Sequence, residues 1–92
     1  MKNNLTVIET LLKTAVIIRT VTMYYTGRII GYDDEFVVLE ECAWISATGR
    51  WSEALRTGEL DEVEPYPGRC FVARGAIVEV VPWTHELPRS AK

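Results

Sequence analysis

Cationic surplus, long apolar runs and metal-binding side chains are all scarce in this chain, and each shortage removes a class of function. Thirteen Asp and Glu against ten Lys and Arg leave a net charge of -3. No global positive field gathers nucleic acid, so any such site must be local and built from a few arginines. No apolar run approaches the ~20 residues needed to span a bilayer. The opening stretch MKNNLTVIETLLK has neither the apolar core nor the small-residue cleavage site of a signal peptide. Cytoplasm is the expected location, with no membrane partner. The two cysteines, Cys42 and Cys70, and the single histidine, His85, make neither a disulfide framework nor a zinc site. The thiols read as part-buried groups in a reducing compartment, and a disulfide is open to them only if their strands are neighbours.

Catalytic groupings are equally thin. His85 and Ser90 fall in a polar end segment with no structured partner for a triad. The acidic groups Asp33-Asp34-Glu35, Glu40-Glu41 and Asp61-Glu62 have no second ligand set for a divalent cation and no nucleophile beside them. They read as a turn and solvated strand faces. The chain is expected to be no enzyme, with no catalytic residue, no cofactor and no metal.

What the sequence does have is a β-rich apolar pattern. Its 92 residues, 48% of them apolar, suit one small domain over 1–92. Residues 4–13 place Leu5, Ile8 and Leu12 on one helical stripe, with Asn3 or Asn4 as a cap and Thr6–Glu9 at capping-box spacing, which predicts a short helix. β-Branched and aromatic residues then predict five strands: AVIIRTV (15–21), YYTGRIIGY (24–32), EFVVLEECAWI (35–45), CFVAR (70–74) and AIVEVVPW (76–83). Gly27 and Gly31 allow the second strand to bend strongly. Residues 46–68 form a long polar insertion, either a functional loop or an extension of the neighbouring strands into a protruding hairpin. Within it SEALRTG has the makings of a helical turn ended by Gly58. Trp44, Trp51 and Trp83 flank the insertion and the last strand and are expected to pack there. The polar end, 84–92, is expected to fray as a flexible tail. Five short strands with bend glycines point to a small, strongly curved barrel.

A helix followed by five strands, with GRIIGYDDEFVVL (27–39) and FVARGAIVEVV (71–81), resembles the Sm-like family of RNA-associated, ring-forming proteins. The first stretch is similar to the family's glycine, apolar, aromatic-Asp signature. The second is similar to its apolar, Arg-Gly, apolar signature. The resemblance spans two signature regions, 15–45 and 69–83, and implies an all-β, five-stranded, strongly bent barrel with an N-terminal α-helix. It also implies assembly into a homo-oligomeric ring, taken as five to seven copies, because the fourth strand of one copy can pair with the fifth of the next and leave no open edge. Divergence in the pocket would suit a phage-encoded or bacterial member.

The resemblance implies single-stranded RNA as partner, held at loops around the pore. Arg74 would grip phosphate or stack on a base, with Gly75 supplying a positive-φ turn. The other reading of Arg74 is a staple to Asp33 or Asp34 that joins two loops. Phe36 is the stacking residue if Asp34 matches the family aspartate, Tyr32 offers a further ring, and the Asp33-Asp34 turn positions them. Tyr25 reads as core. The sequence departs from the family where a base-reading asparagine is usual, since valine stands there, and where an asparagine follows the second glycine, since Ala76 and Ile77 do. The competing expectation is a ring that has lost RNA binding and docks protein partners through the insertion.

Overall fold

Three consecutive residues of one strand, Val16, Ile17 and Ile18, are each wholly buried. Side chains alternate across a strand, so such a run requires cover on both faces. The computed structural model describes residues 7–92 and shows how that cover is built. Strands β1 (Ala15–Thr20), β2 (Tyr24–Tyr32) and β3 (Phe36–Ala47) form an antiparallel meander. Helix α1 (Trp51–Thr57) and strand β4 (Glu62–Pro65) follow, then β5 (Cys70–Ala73) and β6 (Ile77–Pro82). The order is β4-β3-β2-β1-β6, with β5 also on β3. β3 has 12 residues and serves two partners: Phe36–Leu39 pair with β5, and Ala43–Ala47 pair with β4.

The division falls where the strand bends. Glu41 takes φ 49°, and the pairing of β2 with β3 shifts register between Thr26 and Arg28. Gly27 lies in that shift, where an added Cβ would stand 3.0 Å from the Cβ atoms of both Cys42 and Leu39. Glycine is needed there because the two strands approach too closely for any side chain. A second shift falls between Ile29 and Gly31.

Two apolar clusters occupy opposite faces. One gathers Val16, Ile18, Ile29, Val37, Leu39, Cys42 and Val72, with Ile8 and Leu11 closing over it. The other gathers Ile17, Ala43, Ile45, Ala54, Leu60, Val63, Trp83 and Leu87. The second exists because the insertion folds back. α1 ends on Gly58 at φ 81°, whose N–H donates to the Ala54 carbonyl, and Trp51 meets Tyr24 with ring centroids 5.2 Å apart.

Several expectations need correcting. The all-β class and strong bend hold, but the described residues form six strands, because the insertion contributes β4. The expected helix over 4–13 is, among the described residues, a single 3₁₀ turn at Ile8–Leu11; Asn3, Asn4, Leu5 and Thr6 lie outside them. The tail does not fray. Lys92 exchanges both backbone hydrogen bonds with Val63, Leu87 is buried, and His85 Nε2 lies 2.8 Å from the Leu55 carbonyl. A polar composition hides this docking, since one leucine, backbone groups and polar side chains perform it. The cysteines prove to be neighbours and free. Burial, and a hydrogen bond with the Cys42 thiol, push the Cys70 thiol well above its ordinary range.

Between β1 and β3, the Thr26 hydroxyl is buried with no hydrogen-bond partner among the described residues. An unmatched buried hydroxyl costs about 1–3 kcal/mol. Thr26→Val is therefore expected to stabilise the fold by about 1 kcal/mol, a rise of about 4–8 °C in Tm for a domain this size. Thermal unfolding followed by circular dichroism checks it; an unchanged or lowered Tm contradicts it.

Candidate functional site

Pairing of Phe36 with Ala73 brings two loops side by side at one end of the β3–β5 ribbon. One loop, 33–35, joins β2 to β3; the other, 74–76, joins β5 to β6 as a 3₁₀ turn. Asp33 organises the first. Its Oδ1 accepts the N–H groups of Glu35 at 2.8 Å and Phe36 at 2.7 Å, a side chain imitating a backbone turn. These N–H groups, with the Arg74 charge as a lesser influence, hold the Asp33 carboxyl below its ordinary range.

The second loop is tied to the first by one residue. The Arg74 N–H donates to the Glu35 carbonyl at 2.8 Å, and its Nη1 donates to the Asp33 carbonyl at 2.5 Å. Its guanidinium carbon lies 5.8 Å from the Tyr32 ring centroid, within cation–π range. Arg74 thus staples the loops, but through a backbone oxygen rather than a carboxylate. One bond occupies one of five donors, and the remainder can meet an anion.

The sequence-derived candidates Tyr32, Asp33, Asp34, Phe36, Arg74 and Gly75 all fall in or beside these loops. Phe36 is 39% exposed, so its ring is a surface group rather than core. Valine holds the asparagine position in either register, and neither Val37, buried in the barrel, nor half-buried Val38 has a polar group to read a base edge. Gly75 needs correction: positive φ among the described glycines occurs only at Gly49 and Gly58. Gly75 sits in the 3₁₀ turn with no atom within 4 Å of an added Cβ. Its place is therefore not fixed by turn geometry within this chain.

Charge in the loops is lopsided. Asp33, Asp34 and Glu35 are exposed and face the single cation Arg74, so the pair of loops carries a formal charge of about -2, which raises the cost of bringing phosphate there.

Sequence reading treated Phe71 only as part of a strand and passed over Arg69. Phe71 is 61% exposed and meets Phe36 edge to face, with centroids 6.4 Å apart. Alternation was the available signal: if Val72 points inward, Phe71 points out.

The sequence matches no family model and no curated protein. Among solved structures, the chain is similar to an Sm protein of Pyrococcus abyssii in complex with a uridine heptamer, at 24% identity and a TM-score of 0.61. The likeness covers 88% of this chain and 99% of that one. It shows the fold, a strongly bent antiparallel sheet of Sm type.

Proposed function

We propose that the chain assembles through its open sheet edges into a homo-oligomeric ring and binds single-stranded RNA, without catalysis, at loops 33–35 and 74–76. The observation that carries the reading is the Arg74 staple. Its guanidinium, with spare donors, lies over Tyr32, and Ala73, the residue before it, pairs with Phe36, whose ring is exposed. Guanidinium beside a π face is the pairing that grips phosphate and stacks on bases. The Sm fold, and a neighbour of that fold holding a uridine heptamer, support it.

Assembly strengthens the reading. One copy offers a single loop cation against three carboxylates, which is too little for tight binding by one site. A ring repeats the site, and linked weak contacts multiply into useful affinity. Binding should therefore be salt-sensitive and favour oligonucleotides long enough to touch several copies.

Arg74→Ala is expected to weaken binding of oligo-uridine at low salt by at least about tenfold, with Arg74→Lys recovering only part of the loss. Fluorescence anisotropy over a salt titration, with oligo-adenosine in parallel, measures it. If the unmodified protein binds neither oligonucleotide at low salt, the RNA reading is rejected.

The acidic loops favour a second reading, a ring that docks protein partners through the folded insertion. Under it, Arg74→Ala leaves partner binding intact, while changes on the exposed α1 residues Ser52, Glu53 and Arg56 abolish it.

A further inference from the structure

The outward face of the β3–β5 ribbon carries a row of side chains that neither loop accounts for. Register pairs Phe36 with Ala73 and Val38 with Phe71, while the intervening pair Val37 and Val72 is buried. Phe36, Val38, Phe71 and Ala73 therefore share the solvent side. Arg69 precedes Phe71 by two residues, continues the same alternation at the far end and is exposed. It makes no ion pair or hydrogen bond among the described residues. The row thus runs from Arg74 at the loops, across two phenyl rings, to a free guanidinium at the root of the insertion.

Resting on the RNA reading above, we propose that this face is a stacking track for single-stranded RNA, extending the path from the loops along β5 to Arg69. Phe36 and Phe71 meet edge to face, which leaves at least one face of each ring uncovered by the other. Successive outward positions on a strand lie about 7 Å apart, a spacing on the scale of one nucleotide. Aromatic faces with arginine at both ends suit bases on a phosphate backbone and bind with little sequence preference. Glu40, two residues beyond Val38 on β3, lies 3.9 Å from Arg28, a cation it shares with Glu41 and one that only partly offsets its repulsion of phosphate. Pairing between copies at the β5 edge would run in the plane of the sheet and leave this face open.

The test compares oligo-uridines of six and fifteen nucleotides on the unmodified protein and on Phe71→Ala, Phe71→Trp and Arg69→Ala, with particle mass measured by light scattering. The fifteen-mer is expected to bind the unmodified protein more tightly than the six-mer. Phe71→Ala and Arg69→Ala should each lose about tenfold on the fifteen-mer and under about twofold on the six-mer. Phe71→Trp should retain fifteen-mer affinity, and every variant should keep the parent mass. Unchanged fifteen-mer affinity in Phe71→Ala overturns the track while leaving the loop site standing. So does an equal loss on both lengths. A fall in particle mass on Phe71→Ala assigns the ring to contact between copies and overturns it as well. Failure of the unmodified protein to bind either length removes the loop reading and the track together.

Discussion

Val80→Pro is expected to convert an assembly of several subunits into single folded chains. β6 bonds to β1 on one side, with Val80 opposite Ile18 and Pro82 opposite Val16. The Trp83 N–H donates to the Ala15 carbonyl at 2.8 Å. N–H groups alternate in direction along a strand, so Val81 also points toward β1 and Val80 points to the open edge. Pro82 falls on that same outward parity, where its missing donor costs nothing within the chain. Proline at 80 would remove the outward N–H and place its ring where a neighbouring strand must approach, while sparing the bonds to β1. Light scattering after size exclusion reads the mass, and circular dichroism confirms that the sheet persists. An unmodified chain that already runs as a well-folded monomer at high concentration contradicts the ring. An assembly that survives Val80→Pro moves its contact away from this edge.

Trp83→Ala is expected to cost about 3–5 kcal/mol, the range for truncating a buried large aromatic side chain. Natural domains of this length hold about 5–14 kcal/mol in all, so much of the stability would go. Trp83 is 4% exposed and stands among Ile17, Ala54, Leu60 and Leu87, where β1, α1 and the tail meet. Its Nε1–H donates to the Glu86 carbonyl at 3.1 Å and its ring meets His85 at 5.0 Å. His85 in turn packs beneath Gly58, where an added Cβ would stand 2.7 Å from the imidazole. Chemical denaturation should show a lower midpoint, and hydrogen exchange should show α1 and residues 84–92 losing protection first. A loss below about 1 kcal/mol contradicts the view that the insertion and tail share one core.

The strands were legible because β-branched runs between turn residues admit little else: AVIIRT, YYTGRIIGY and the start of FVVLEE lie where the pattern puts them. The two loops were legible through the Asp-Asp and Arg-Gly pairs that punctuate those runs. The short strand EVEP was not, since two glutamates and a proline carry no strand signal and only Val63 faces a core. The docked tail escaped notice for the same reason, being held by long-range contacts of Trp83, Leu87 and Lys92. At the site, the Arg-Gly pair located the turn between β5 and β6 but could not show that the partner of Arg74 is a peptide oxygen. It also assigned Gly75 a backbone conformation that the 3₁₀ turn does not use.

The backbone clasp between Lys92 and Val63 has a bearing on how copies can join. It occupies the outer border of β4 at that point, so that under the assembly proposed above each copy would be bivalent, pairing through β5 and β6. Bivalent units of one handedness can close on themselves or run on as a filament, but they cannot branch into a network. Whether they close depends on the angle between those strands, which the kink at Gly27 and Glu41 sets within each copy.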